Sequence, residues 1–483
     1  MIRRLARLRL AALACTLSLA VGCTNVLGDN RARDAETEVP DSFGPAPAQA
    51  GPSVAAQKQW DEFFADPDLR SLIEEALANN QALNIQLQEI IVAENAVTAI
   101  RGEYIPRLDA TAGVGVEKVG EFTSQGVSDA ANGVPNPLLG LGFGLVASWE
   151  TDVAGSLRNA RKAAGAHYEA TTWEANFLIT EIVAEIARSY YELVALDLQV
   201  DILRRNVEFQ ENALEIVKLK KAAARGTELG VQRFQAEVLK NRGRKLALEQ
   251  QRVLVENRIN FLVGRFPQPV KRRTDDFMTL EPATVTVGLP AELLENRPDV
   301  KAAELELEAT KFDTISAKRR FYPSLRIDAG VGFQTFRAAH LLTTPESLVF
   351  DLAGNLVAPL LNRAAIKADY RTANARQVQA VYNYERAILQ AYTDVYNQLS
   401  AIANYRARFD QIAEQVATLQ AAIKVSEALF QSAQADYYEV LMTIRDSLEA
   451  EMELVDARRD QLQAIVSVYQ ALGGGWRRGD GAS

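Results

Sequence analysis

The stretch LDATAGVGVE, residues 108–117, decides the fold, together with its near copy LRIDAGVGFQ at residues 325–334. In the first, Leu108, Ala110, Ala112, Val114 and Val116 alternate with Asp109, Thr111, Gly113, Gly115 and Glu117. In the second, Leu325, Ile327, Ala329, Val331 and Phe333 alternate with Arg326, Asp328, Gly330, Gly332 and Gln334. A period of two held over nine or more residues marks a strand with one apolar face, and about 9 to 11 residues suffice to cross a bilayer when tilted. Return strands follow each: Leu141, Phe143, Leu145, Ala147 and Trp149 after the first, Phe350, Leu352, Leu356 and Ala358 after the second. Loops 118–138 and 335–347, rich in Gly, Ser, Thr and Pro, cap the two hairpins. The pattern alone also fits two hairpins of a soluble sheet.

The two copies belong to a larger duplication. A shift of 217 places Leu77 and Asn79 on Leu294 and Asn296, Pro106 on Pro323, and Gly113-Val114-Gly115 on Gly330-Val331-Gly332. Each half runs in the same order: a helix, a Pro-marked turn into strands, a very long Pro-free stretch, and a polar turn into a second helix. All 16 prolines lie at or before Pro359 and none falls between Pro137 and Pro267, so both long runs lack the commonest helix breaker. In the first run Ile179, Val183, Ile186, Tyr190, Leu193, Val200, Val207, Leu214 and Val217 keep steps of three, four or seven. In the second, Ile388, Tyr392, Val395, Leu399, Ile402, Phe409, Ile412, Val416, Leu419, Ile423 and Phe430 do the same. Such a seam belongs to coiled coils. Helices of about 65 to 70 residues would run ~100 Å at 1.5 Å per residue.

The N-terminus is a secretory signal, with Arg3, Arg4, Arg7 and Arg9 ahead of the apolar run Leu10–Gly22. The run is shorter than the roughly 18 to 20 apolar residues a membrane helix needs. The only two cysteines are Cys15 and Cys23, so the mature body has no disulfide framework or cysteine metal site. Leu19-Ala20-Val21-Gly22-Cys23 resembles a bacterial lipobox, in which the cysteine is diacylated and becomes the new N-terminus; the other reading is an ordinary signal followed by an incidental cysteine. Thr24 in place of Asp resembles the outer-membrane sorting pattern. Removing the four signal arginines takes the formal charge from −9 to −13, which argues against nucleic acid as a partner. With 48% apolar and 24% charged residues, the chain is not a disordered one.

The order and spacing of several motifs then carry a family resemblance. They are Trp60-Asp61-Glu62-Phe63, Ala76-Leu77-Ala78-Asn79-Asn80, Trp149-Glu150-Thr151-Asp152, and Asn296-Arg297-Pro298-Asp299-Val300 followed by Ala303-Glu304. Ala433-Gln434-Ala435-Asp436-Tyr437-Tyr438-Glu439-Val440-Leu441 and Tyr469-Gln470-Ala471-Leu472-Gly473-Gly474-Gly475-Trp476 complete the set. The chain resembles the TolC-like outer-membrane factor family, in particular its lipid-anchored, OprM-type branch serving resistance-nodulation-division efflux systems. The resemblance implies an α+β membrane protein: a homotrimer whose four strands per chain build a twelve-stranded outer-membrane β-barrel, continued by a long periplasmic α-helical coiled-coil barrel. Four strands cannot close a barrel alone, and the interior of an eight-stranded one is filled by side chains, which independently points to three copies.

Along the chain this gives a signal peptide at 1–22, a lipid-anchored N-terminal linker at 23–56, and a first repeat at 57–264 with its β-hairpin about 106–150 and long helices about 154–264. An equatorial segment at 265–293 leads to a second repeat at 294–476, with a β-hairpin about 323–359 and long helices about 360–472, and a tail at 477–483. The implied function is the passive exit duct of a tripartite efflux pump, conducting small molecules and drugs from an inner-membrane pump through a periplasmic adaptor, with no catalytic chemistry. A type I protein-secretion duct shares the fold, and a periplasmic coiled-coil scaffold would share the helices but not need the strands.

The resemblance also implies sites. The two helix–helix turns, with Arg225, Gly226 and Thr227 in one and Ser432, Ala433 and Gln434 in the other, are the adaptor-contacting tips. Gly226 suits the backbone bend; Ala433 stands where glycine is usual. Glu439, Asp436 and Phe430 match positions that narrow the closed channel gate, whereas Met442 and Gln232 depart from the acidic pattern. Three like carboxylates around one axis repel each other and attract a cation. No cofactor is implied beyond the covalent lipid on Cys23. His167 and His340, the only histidines, have no second histidine or cysteine near them in sequence and read as structural. Arg297, Asp299 and Glu304 read as a helix start with Pro298 in its first turn.

Overall fold

The computed structural model describes residues 32–43, 57–280, 288–359, 363–432, 434 and 437–477. The signal peptide and Cys23 therefore lie outside the described residues, as do Ala433 and Asp436. In chain order the elements are α1 (Trp60–Phe63), α2 (Pro67–Asn79), α3 (Gln81–Glu103), β1 (Arg107–Glu117), α4 (Ser124–Ala131), β2 (Leu138–Thr151), α5 (Ser156–Ala222) and α6 (Glu228–Val263). After a 3₁₀ turn come α7 (Leu293–Asn296), α8 (Pro298–Arg319), β3 (Ser324–Thr335), β4 (Leu348–Val357), α9 (Ala364–Gln431) and α10 (Tyr437–Ala471).

The long helices have 67 and 68 residues. All nine seam residues of the first run are buried, and every seam residue of the second is buried or half-buried. The strands pair antiparallel in the order β1-β2-β3-β4. Ala358 falls beyond β4, and the first hairpin loop holds the unexpected α4, whose start is capped by the Thr123 hydroxyl accepting from the Gly126 amide at 3.0 Å.

The described residues group into two compact units that cut across the duplication. One takes the described residues up to Ala35, Ile91–Glu169 and Glu304–Asn383 and carries the sheet; the other takes Glu36–Ile90, Ala170–Ala303 and the described residues from Tyr384 on, and carries the main core. Each unit draws on both repeats. The offset between repeats also changes along the chain: Arg107 and Ser324, which open β1 and β3, are 217 apart, whereas Glu228 and Tyr437, which open α6 and α10, are 209 apart. The longer first hairpin loop, with α4 inside it, accounts for the change.

Within the core-bearing unit the duplication produces the same joint twice. Gly264 and Gly473, just past α6 and α10, have φ of 79° and 83°. A Cβ on Gly264 would lie 2.5 Å from the Asn79 carbonyl oxygen, and one on Gly473 would lie 2.5 Å from that of Asn296. The next side chain reaches back to the long hairpin: the Asn80 amide donates to the Leu262 carbonyl at 2.7 Å, and Arg297 donates to that of Ala471 at 3.1 Å. Arg297 is buried and also pairs with Asp299 at 2.7 Å and Asp394 at 3.1 Å. The chain ends meet here too: Phe63 stacks on Tyr469 with ring centroids 4.0 Å apart, and the Tyr469 hydroxyl donates to the Lys58 carbonyl at 2.8 Å.

Part of the expected tether is fastened down. Arg33 lies over the Tyr382 ring at 5.3 Å, Phe43 is buried against Tyr392 with centroids 5.4 Å apart, and the Tyr392 hydroxyl donates to the Ser42 carbonyl. One aromatic placed on an aromatic helix face suffices to hold this part of the linker.

Gly264→Ala is expected to lower stability by more than about 1 kcal/mol, since alanine is strained at positive φ and its methyl meets a carbonyl. Gly243→Ala, inside α6 with open space around it, is expected to raise stability by about 0.5–1 kcal/mol. Chemical denaturation of the two variants in detergent checks both signs, and equal effects would contradict this account of the joint.

Candidate channel lining and helical tips

The register gives the sheet two chemically distinct faces. On one lie the rows Leu108, Ala147, Ala329, Leu352; Ala110, Leu145, Val331, Phe350; and Ala112, Phe143, Phe333, Leu348. Phe143 stacks on Phe333 with centroids 5.4 Å apart. On the other lie Arg107, Ser148, Asp328; Asp109, Gly330, Asp351; Thr111, Gly144, Gly332; and Gly113, Gly142, Gln334, broken by Val146, Val349 and Ala353. The apolar face is uncovered: Phe350 is 82% exposed and Leu352 77%. Glycine on the polar face also serves packing, since a Cβ on Gly144 would stand 2.6 Å from the Val331 carbonyl oxygen. The outer edges of β1 and β4 have no strand partner among the described residues.

The motif at the end of β2 holds the strands to the helices. The Trp149 indole donates to the Tyr104 carbonyl at 3.0 Å, and the Asp152 carboxylate accepts from the Leu157 and Arg158 amides at 3.0 and 2.8 Å, opening α5. Three turns into α5, His167 bridges to α8, its Nδ1 2.7 Å from Glu306 and its Nε2 3.3 Å from Asp313. These two carboxylates hold the imidazolium and push its pKa up to about 10, against the opposing effect of burial. With both ring nitrogens donating, His167 is a cationic tie. Among the described residues no group of His, Cys, Asp or Glu is arranged to hold a metal ion.

At the first tip α5 ends in a Schellman motif, with the Arg225 amide donating to the Lys220 carbonyl at 2.8 Å and the Ala224 amide to that of Lys221 at 2.9 Å. The residue with positive φ is Ala224, at 54°, not Gly226. Gly226 is favoured instead by close approach, since a Cβ there would lie 3.2 Å from the Lys221 nitrogen. Thr227 caps α6 by accepting from the Gly230 amide at 3.2 Å, and Lys221 pairs with Glu228 across the turn. At the second tip the Gln434 amide donates to the Leu429 carbonyl at 2.9 Å, the counterpart of the Arg225 bond 209 residues earlier. The Ser432 hydroxyl folds back onto the Ala428 and Leu429 carbonyls.

Arg225, Gly226, Thr227, Ser432 and Gln434 are all exposed, as is Glu439 in the first turn of α10. Phe430 is half-buried, with the Lys220 ammonium 3.7 Å from its ring centroid. The neighbouring Tyr438 takes the Arg233 guanidinium at 5.0 Å. Sequence reasoning missed Lys220, Arg233 and Tyr438; the cations crowded at the first turn against aromatics at the second were the available signal.

A family model described as outer membrane efflux protein matches residues 72–265 and 289–474. The chain belongs to that family. It is thus an outer-membrane efflux channel protein, a duct rather than an enzyme. Among similar proteins, the pyoverdine export outer membrane protein OpmQ of Pseudomonas aeruginosa is 29% identical over 443 residues, covering 90% of this chain and 93% of the relative. A probable outer membrane lipoprotein, SilC of Salmonella typhimurium, is 23% identical over 95% of this chain and 97% of its own length. The open-state structure of the Neisseria gonorrhoeae outer membrane channel MtrE superposes with a TM-score of 0.82 at 23% identity, covering 92% of this chain and 98% of that one. The efflux family accounts for the chain without the protein-secretion reading.

The pH dependence of the His167 tie has a defined sign. Its folded pKa, about 10, exceeds the unfolded value of 6.5, so its contribution is complete below about pH 6.5 and is lost as pH rises through about 10. His167→Asn is expected to remove that part of the stability loss between pH 7 and 10. Parallel stability–pH curves for the variant and the unmodified protein would show that the tie does not act this way.

Proposed function

We propose that three copies of the chain close a twelve-stranded barrel in the outer membrane, continued by a periplasmic helical tunnel. The duct passively conducts small molecules delivered by an inner-membrane resistance-nodulation-division pump through a periplasmic adaptor. The observation that carries this reading is the four-stranded sheet with one apolar face, one polar and glycine-rich face, and two outer edges without a strand partner among the described residues. Unpaired backbone groups in lipid cost several kcal/mol each, so the edges require strands from other copies. The apolar face then meets lipid and the polar face lines the pore. No helix among the described residues is long and apolar enough to cross a membrane.

The lipid anchor on Cys23 is part of the same proposal. Arg33 is fixed at Tyr382, eighteen residues into α9, about 27 Å along the helix from Ala364 and the strand ends. The ten residues from Cys23 to Arg33 span up to ~33 Å, enough to return to the membrane boundary. The outer membrane lipoprotein named among the relatives supports this. The exposed tips around Arg225, Gly226 and Thr227 and around Ser432, Ala433 and Gln434 are offered to the adaptor. Glu439 and Asp436, repeated three times about the axis, would attract cations and narrow the gate.

In planar bilayers the purified protein is expected to give single-channel current, and Glu439→Ala to raise conductance and weaken divalent-cation block. Absence of current together with full solubility without detergent would overturn the duct; an unchanged Glu439→Ala channel would remove that residue from the gate. The mature N-terminal peptide is expected to begin at Cys23 and carry the mass of a diacylglyceryl group, and an unmodified peptide would rule the anchor out.

A further inference from the structure

The core-bearing unit holds a cavity of about 290 Å³ that plays no part in the duct reading. Four stretches far apart in sequence build its wall: the turn after α1, the middle of α5, the segment between α6 and α7, and the second half of α10. Five aromatic side chains contribute to it, those of Phe63, Phe64, Tyr190, Tyr191 and Phe277. The volume lies at the lower end of the roughly 300–1,000 Å³ of small-molecule sites, enough for a ligand of one or two rings.

Most polar groups of the wall are already engaged. Asp66 opens α2 by accepting from the Asp68 and Leu69 amides at 2.8 and 3.4 Å, and it takes the Tyr190 hydroxyl at 2.7 Å. The Tyr190 oxygen in turn accepts from the Arg273 amide at 3.4 Å, and the Arg273 guanidinium reaches Asp68 at 3.6 Å. Two groups are left over. The Tyr191 hydroxyl has no hydrogen-bond partner among the described residues, and burial, with a smaller contribution from the Asp66 charge, pushes its pKa up. The phenol therefore stays neutral, with one proton to give and two lone pairs to accept. The Asp276 carboxylate, exposed at the mouth of the cavity, has neither an ion pair nor a side-chain hydrogen bond among the described residues.

These leftovers specify a ligand. A buried hydroxyl without a partner is unfavourable, and a ligand group that bonds it recovers that cost. Asp66 and Asp276 outnumber Arg273 in the wall, and Arg273 is turned to Asp68, so the local field repels anions and attracts cations. Aromatic walls favour a flat ring over an alkyl chain and hold cations by their faces. We propose that this cavity is a binding site for a small aromatic amine. Its ring lies among the five aromatic side chains, a hydrogen-bonding group of the ring meets the Tyr191 hydroxyl, and the ammonium stands at the mouth beside Asp276. The occupant braces four stretches that otherwise meet only through the core. The site lies within a single chain and does not rest on the duct reading.

The test is calorimetric titration of the full chain in detergent with three probes of one shape: tryptamine, the uncharged 3-ethylindole, and the anionic indole-3-propionate. Tryptamine is expected to bind at one site per chain, 3-ethylindole about threefold more weakly, and indole-3-propionate not at all. Tyr191→Phe removes only a hydroxyl without a partner, so the variant is expected to fold as the unmodified protein does and to bind tryptamine and 3-ethylindole about fivefold more weakly. Asp276→Asn is expected to weaken tryptamine about threefold and to leave 3-ethylindole unchanged. Saturating tryptamine is expected to raise the thermal unfolding midpoint of the unmodified protein, and to raise that of Tyr191→Phe less at the same concentration. No tryptamine binding overturns the site. Equal affinity for the three probes also overturns it, since that is unspecific partition into apolar surface or detergent. So does tryptamine affinity unchanged by Tyr191→Phe, or by Asp276→Asn.

Discussion

Backbone hydrogen bonding at the edges of a four-stranded sheet is the constraint on which the rest of this structure depends. A sheet of this size with both faces open has no core of its own; β1 and β4 are exposed along almost their whole length, and no residue of β2 or β3 is more than half-buried. In water such a sheet would aggregate through β1 and β4. In lipid it requires the edges to be paired, and pairing with further copies satisfies both edges and both faces at once. The alternation that begins at Leu108 and Leu325 is therefore a statement about assembly as much as about secondary structure.

The duplication meets this requirement by supplying two hairpins that join through β2 and β3, where Phe143 stacks on Phe333 and Gly144 lies beside Gly332. It also supplies two long helical hairpins, each locked at its far end by a left-handed glycine docked on the short helix of its own repeat. Asn80 and Arg297 occupy equivalent positions in these joints, yet only the second is charged, and it collects Asp299 and Asp394 around it. One neutral and one ionic version of the same joint show how far two copies can diverge once the backbone geometry is retained.

At the candidate site the sequence was legible where a motif maps onto local geometry and opaque where partners come from far along the chain. Thr227 at a helix N-terminus and the polar turn around Ser432 follow from local rules. Gly226 invited a conformational explanation, but the left-handed residue is Ala224, because the Schellman bonds of α5 fix the position of the bend. Phe430 read as an aromatic of the channel gate. Its ring is instead covered by Lys220 from the other repeat, a pairing that no spacing rule could forecast.

The sequence by itself determined the period-two strands, the two long seams, the tandem repeat and the family, because alternation, heptad spacing and proline placement act over neighbouring residues and survive in a one-dimensional pattern. Only the tertiary structure decided that the compact units cut across the two repeats, that residues 32–43 lie fastened on α9, that His167 is a cation held between Glu306 and Asp313, and that cations of one tip face aromatics of the other. Those outcomes depend on which helix faces meet after packing, and that depends on contacts between residues more than a hundred positions apart.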